Sequence, residues 1–182
     1  PRMLYENYKG ESTKFTMCLE LIETLKENGK KVLLFSSFTS IFDSFIEEFN
    51  QRGIKYHMIT GAVDKKKRKE EVDAFQSDDS DVFLISLKAG GTGLNLTKAQ
   101  AVIHYDPWWN VSAQNQATDR AYRIGQTKNV LVYQLLMKNT IEAKIYEMQK
   151  RKKEMSDIFV ENSNGGISSL SKEELRDLFS ME

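Results

Sequence analysis

Five short apolar runs, KVLLFSS (31–37), KYHMIT (55–60), DVFLISL (81–87), AVIHYD (101–106) and VLVYQLL (130–136), alternate with helical patterns along most of the chain. Runs of this length with little polar alternation read as strands buried on both faces. Three amphipathic stretches lie between them. STKFTMCLELIETLKENG (12–29) closes at Gly29, TSIFDSFIEEFNQRG (39–53) has Thr39 as N-cap and Gly53 beyond its end, and DKKKRKEEVDAF (64–75) is opened by Asp64. Strand alternating with helix implies βαβ crossovers, hence an α/β fold with a mostly parallel sheet sandwiched by helices. Ligands of such sheets collect at the carboxyl ends of the strands.

The last strand is followed by NTIEAKIYEMQKRKKEM (139–155), a helix with a basic second half. ENSNGGISS (161–169) has no periodicity and reads as a linker. SKEELRDLF (171–179) carries Ser171 and Glu174 at capping-box spacing, so a short docking helix is expected there. The organisation expected is therefore a lobe over 1–155 with a C-terminal helical extension over 156–182. The KKKRK run (65–69), followed by Glu70 and Glu71 on a helix with apolar Val72 and Phe75, reads as a solvated face rather than a nucleic-acid patch.

Lys+Arg and Asp+Glu are both 26, a balance that excludes a purely electrostatic nucleic-acid binder and leaves only local contact. The single Cys18 reads as a small buried hydrophobe. His57 and His104 sit inside apolar runs with no second ligand at metal-binding spacing, so they are expected as core or strand-end residues and no metal site is expected. No apolar run reaches 18 residues and no signal peptide is visible, which points to an intracellular protein with no membrane partner. Pro1 is not a natural start, so a piece of a longer chain is expected.

Two stretches carry chemistry. SLKAGGTGLNL (86–96) follows a strand directly, placing glycines where backbone amides can approach an anion. A dinucleotide fingerprint fails because its third glycine would fall at Leu96. A structural turn alone stays open beside a phosphate-backbone contact made with Lys88, Thr92 and Asn95. NQATDRAYRIGQ (115–126) reads as a helix with Arg120 and Arg123 three apart, hence side by side on one face. That pair is either a solvated helix face or two planar guanidiniums suited to a polyanion. The chain has no G-x-x-x-x-G-K-[ST] and no Asp-Glu dipeptide, so it cannot bind Mg-ATP in the P-loop manner by itself. The economical reading is that the pair reaches a triphosphate held by another domain, as arginine fingers.

Taken together, these stretches resemble the second RecA-like lobe of Swi/Snf-type helicase-like ATPases of superfamily two, of bacterial or archaeal type. VLLFSSF is similar to motif IV, the Gly61, Arg68 and Phe75 spacing matches G-x6-R-x6-F, SLKAGGTGLNL looks like motif V, DPWWN resembles the adjoining tryptophan segment, and QATDRAYRIGQ is similar to motif VI. Ser37 stands where glutamine is frequent, and Val111 replaces a proline that often follows Trp-Asn.

The resemblance implies an ATP-hydrolysing motor that translocates on duplex DNA and shifts DNA-bound proteins, with ATP and Mg²⁺ held mainly by an N-terminal RecA-like lobe. It implies that Arg120 and Arg123 act on the γ-phosphate, that Gln116 couples nucleotide to cleft, that Gly91 and Gly93 bend motif V between the nucleotide and DNA sites, that Gly91, Gly93 and Asp119 line the nucleotide cleft, and that Ser36, Ser37, Lys88, Gly90, Thr92, Asn95 and Trp109 lie along DNA. The location implied is cytoplasmic and nucleoid-associated, or nuclear in a eukaryote. By itself the chain is expected to be inactive. A non-catalytic interaction module and a lobe of a strand-separating helicase are the alternatives.

Overall fold

The computed structural model describes residues 12–90, 94–108, 115, 118 and 129–161. The chain divides into two compact units, Pro1–Lys138 and Asn139–Glu182. In the first, five strands form one wholly parallel sheet: β1 (Lys31–Ser36), β2 (Tyr56–Ile59), β3 (Val82–Ser86), β4 (Ala99–His104) and β5 (Leu131–Gln134), in the order β2-β3-β1-β4-β5. The central strands β1 and β3 are buried almost throughout, as runs covered on both faces must be. Every one of the five expected strands is present, with ends displaced by at most two residues.

Helices α1 (Thr13–Glu27), α2 (Ser40–Arg52) and α3 (Lys65–Ser77) fall where the periodicity put them. Alternation along the strands divides the core into two layers. Val32, Leu34, Leu84, Ala101 and Ile103 pack with Cys18, Ile22, Phe42, Phe45 and Phe49 on α1 and α2. Leu33, Phe35, Phe83, Ile85 and Val102 face Val72 and Phe75 of α3 together with Leu94 and Leu96. Lys65, Lys66, Lys67 and Lys69 are exposed while Val72 and Phe75 are buried, so the KKKRK run is a solvated helix face.

Local signals account for the helix ends. Asp64 is an N-cap whose Oδ1 accepts from the N–H groups of Lys66 and Lys67 at 2.8 and 3.0 Å. At the end of α1, Gly29 has φ +64°, and the N–H groups of Gly29 and Lys30 return to the carbonyls of Lys26 and Leu25. The left-handed residue that this Schellman closure needs is the reason for a glycine there. Thr39 stands at the N-cap position of α2 as expected, but without a capping bond. Its backbone is already helical (φ −65°, ψ −23°) and its side chain caps nothing. The preceding turn is organised by Ser36, whose Oγ accepts from the Phe38 N–H at 3.1 Å, so the chain enters α2 in a helical turn that leaves Thr39 no capping geometry.

Beyond β3 the chain enters a one-turn helix, α4 (Leu87–Gly90), with the Ser86 hydroxyl accepting from the Ala89 N–H. In the second unit, Thr140 Oγ1 accepts from the Glu142 N–H to open α5 (Ile141–Glu161). This helix passes position 155, because no Gly or Pro interrupts 156–161. The linker over 162–169 and the capping-box helix over 171–179 lie outside the described residues.

Candidate functional site

Parallel packing brings the ends of β1, β3 and β4 to one edge of the sheet. Register pairs Ser36 with Ser86 and Phe35 with His104, so the segments that follow these residues emerge side by side. The first residues past β4 are Tyr105 and Asp106. Asp106 is 5% exposed, and its carboxylate accepts from the Ser36 hydroxyl (3.1 and 3.2 Å) and the Ser37 N–H (2.8 and 2.9 Å). One buried carboxylate thus ties the turn after β1 to the DPWWN segment after β4. Burial raises its pKa above the ordinary carboxylate value, although the bonds from Ser37 and Ser36 oppose the rise.

Lys14 contributes positive charge to the same corner. It is 7% exposed, its Nζ lies 4.9 Å from the centroid of the Tyr105 ring, and its charge favours the ionised form of Asp106. A buried lysine is unusual unless paired, and the aromatic face and nearby carboxylate supply the partners. Cys18, one turn along α1, is buried and its thiol is pushed up to about 12 by desolvation, so it packs as a hydrophobe and is not a nucleophile.

On the opposite face of β4, His104 is 1% exposed and stacks on Phe35 with ring centroids 5.5 Å apart. Its Nε2 lies 2.9 Å from Oγ1 of Thr118. Both described residues of the 115–126 stretch, Asn115 and Thr118, are helical.

The helicase conserved C-terminal domain matches residues 13–125 of this sequence, the stretch that contains the whole carboxyl-edge site. The chain belongs to that family. Among its relatives, an uncharacterised ATP-dependent helicase of Mycoplasma pneumoniae is 44% identical over 92% of this chain and 16% of its own length. The chromatin-remodelling ATPase INO80 of Candida albicans is 40% identical over 86% of this chain and 11% of its own. The crystal structure of the C-terminal part of the Fun30 ATPase domain superposes with a TM-score of 0.72 at 36% identity, covering 75% of this chain and 45% of that one. The lobe is thus a RecA-like helicase C-terminal domain of the Swi/Snf type, and it spans a small fraction of the curated relatives it matches.

Within the helicase lobe, the expected site residues fall into three groups. Ser36 and Ser37 meet at Asp106, where Ser36 is fully buried and its hydroxyl holds the turn. Lys88 and Gly90 lie on α4 at the same edge, and Asn95 is exposed beyond it, its carbonyl accepting from Gln76 Nε2 at 3.1 Å. Gly91, Thr92, Gly93, Trp109, Gln116, Asp119, Arg120 and Arg123 lie outside the described residues. Lys14 and Ser86 are not singled out for the site by their sequence context, and Asp106 stands there as the end of the AVIHYD run, the start of DPWWN and a possible partner of the arginine pair. A signal for Lys14 was present: it stands four residues before Cys18 on the buried stripe of α1, where an apolar residue is the norm. Among the described residues no group of three or more His, Cys, Asp or Glu could hold a metal ion, and no helix is long and apolar enough to cross a membrane.

The amino edge of the sheet is built differently. His57 on β2 is held between Glu71 (Nδ1, 2.7 Å) and Asp78 (Nε2, 2.7 Å). The Lys31 Nζ donates to the carbonyls of Phe75 and Asp78 at the end of α3. These contacts tie β1 and β2 to α3 and its C-terminal end. Burial lowers the His57 pKa, but the two carboxylate bonds outweigh it and leave the pKa raised. A raised histidine pKa stabilises the fold fully below the unfolded value of about 6.5, and this contribution is lost as pH rises through the folded value. His104 runs the other way: burial depresses its pKa to about 4, so its contribution is present above pH 6.5 and lost as pH falls toward 4. We therefore expect His57→Gln to lower the melting temperature most below pH 6, with the gap to the unsubstituted protein closing in alkaline buffer. Thermal melts of both proteins from pH 5 to 9 check this, and a gap that widens with pH would contradict the clamp.

Proposed function

We propose that this lobe is the second motor lobe of a DNA-dependent ATPase that translocates on duplex DNA and remodels protein–DNA complexes, in the cytoplasm at the nucleoid or in the nucleus of a eukaryote. ATP and Mg²⁺ are held chiefly by an N-terminal RecA-like lobe, and this lobe adds Arg120, Arg123 and Gln116 across the cleft, with Gly91, Gly93 and Asp119 at the nucleotide side. Ser36, Ser37, Lys88, Gly90, Thr92, Asn95 and Trp109 lie along the DNA backbone, Ser36 through the turn it holds. The lobe proper takes in residues 1–155, and 156–182 extend it.

The observation that carries this reading is the Asp106 junction. It locks the turn after β1 to the segment after β4, so two of the proposed backbone-contacting segments move as one body. A motor needs that rigidity, because the lobe must carry its grip on DNA through each opening and closing of the cleft. The membership of the family and the ATP-dependent relatives support the rest.

The test is two-part. Purified alone, the chain should hydrolyse no ATP above background, since it offers arginines without a phosphate cradle. It should bind duplex DNA weakly, without sequence preference, and with an affinity that falls steeply from 50 to 200 mM salt. Fluorescence titrations of two unrelated duplexes at both salt concentrations measure this, and tight binding to one of them would overturn the backbone-tracking assignment.

A further inference from the structure

We propose that Lys65, Lys66 and Lys69 form a further contact of this lobe with the phosphates of duplex DNA, on the flank of α3 that faces the segment after β3. The inference rests on the reading that the carboxyl edge follows the DNA backbone, and it adds a contact outside the segments already assigned to DNA.

The fold sets the position of these lysines. All strands are parallel, so residues 60–64 lead from the end of β2 along the carboxyl edge, and α3 starts there at Lys65 and runs back toward the amino edge. Leu87 and Ala89 of α4 share one core layer with Val72 and Phe75 of α3, so both helices stand on the same face of the sheet. Gln76 identifies the flank. Its Nε2 donates to the Asn95 carbonyl at 3.1 Å and to Thr97 Oγ1 at 3.3 Å, and its Oε1 accepts from the Lys98 N–H at 3.0 Å. At about 100° per residue, Lys65, Gln76, Lys69 and Lys66 stand at roughly 0°, 20°, 40° and 100° around α3. The three lysines therefore share the flank that holds the segment returning from α4 to β4. Lys67, at roughly 200°, stands on the other flank with Glu71, which is bonded to His57.

Charge supplies the second argument. Lys65, Lys66, Lys67 and Lys69 are exposed, and among the described residues none of them pairs with a carboxylate, whereas Lys26, Lys31 and Lys55 pair with Asp81, Asp78 and Asp79. The first turn of α3 contains no acid, and cations there oppose the helix dipole and repel one another. Folding alone does not account for such a cluster. The N–H groups of Lys66 and Lys67 are taken by the Asp64 carboxylate, and Arg68 donates to the Val63 carbonyl at 3.0 Å, so the lysine ammoniums present the charge. In a chain with 26 basic and 26 acidic residues, they make a local positive field at the edge where the other backbone contacts emerge. Ammoniums on flexible stems suit a row of phosphates and carry no sequence information.

The test uses the full chain with both lobes. K65Q/K66Q/K69Q removes the charge, K65R/K66R/K69R keeps it, and K67Q takes one lysine from the other flank. Dissociation constants for two unrelated duplexes are measured from 50 to 200 mM salt. Each phosphate contact adds about 0.9 to the slope of log affinity on log salt, so the Gln triple should be shallower by about 2 to 3 and bind both duplexes about 10- to 100-fold more weakly at 50 mM. The Arg triple and K67Q should stay close to the unsubstituted chain, and the DNA concentration for half-maximal stimulation of hydrolysis should rise in the Gln triple alone. Its melting temperature should be equal or higher, because unpaired repulsion has been removed. An unchanged slope in the Gln triple overturns the proposal and leaves these lysines to solvent or to an acidic protein surface. So does a K67Q effect as large as a third of the triple's, which would place binding on charge in general, or an affinity loss that comes with a lower melting temperature. Duplex binding by the unsubstituted chain that does not respond to salt removes the backbone-following reading itself, while a steep slope that the Gln triple leaves intact removes only the lysine contact.

Discussion

Arg120→Ala and Arg123→Ala are each expected to lower DNA-stimulated ATP hydrolysis by the full two-lobed chain by on the order of 10³-fold or more, the range of an arginine finger. The physical reason is the state in which each guanidinium does most. Charge accumulates on the transferring phosphoryl oxygens as the transition state forms, so a planar bidentate donor gains most there and little in the ground state. ATP affinity should accordingly fall far less than turnover. Arg→Lys should recover little, since a point charge on a flexible stem does not reproduce the fork. A structural role, in which either arginine pairs with Asp119 or Asp106 to hold the helix, forecasts a drop in melting temperature with activity lost in proportion. Asp106 is a weak candidate for that pairing, because its oxygens already accept from Ser36 and Ser37. Melting temperature, nucleotide affinity and turnover measured on both Ala variants separate the two roles, and normal turnover at either position removes that arginine from the site.

The parallel sheet was legible because its signals are local. Five apolar runs, two glycines at helix ends and an Asp at an N-cap each act within a few residues, and each reappears as a strand, a positive φ or a capping bond. Thr39 holds the expected N-cap position yet makes no capping bond, because capping depends on the dihedral of the residue itself and that dihedral is already helical after the Ser36 turn. The centre of the site was not legible for a different reason. Ser36 and Asp106 are 70 residues apart and meet only because β1 and β4 are neighbours in a strand order that no local pattern encodes. Lys14 and Asp106 are charged residues, which composition assigns to the surface, yet together with the Tyr105 ring they form a buried corner. His104 was readable as a strand-end residue. Its bond to Thr118 was not, because that bond joins two motifs across the fold.

The Asp106 junction should prove the most sensitive polar position of the lobe. Asp106→Ala leaves the Ser37 N–H without its acceptor, leaves the Ser36 hydroxyl only the longer bond to the Phe38 carbonyl at 3.3 Å, and removes a negative charge that acts on the buried Lys14. A stranded donor, lost charge-assisted bonds and the weakened electrostatics of the buried corner together cost on the order of 3 kcal/mol, which for a chain of this size lowers the melting temperature by roughly 6–12 °C. Asp106→Asn should cost about half as much, because the amide oxygen still accepts one of the two donors while its NH₂ faces the other. Function and stability should part company in the Asn variant. If the junction couples the β1 turn to the DPWWN segment, D106N in the full chain keeps most of its fold yet grips DNA poorly, and hydrolysis becomes less responsive to DNA. If Asp106 only fills space, D106N behaves like any mildly destabilised core variant and retains full DNA stimulation below its melting temperature. Comparing the ratio of DNA-stimulated to basal hydrolysis in the two proteins at 20 °C decides between them, since that ratio is insensitive to a uniform loss of folded enzyme.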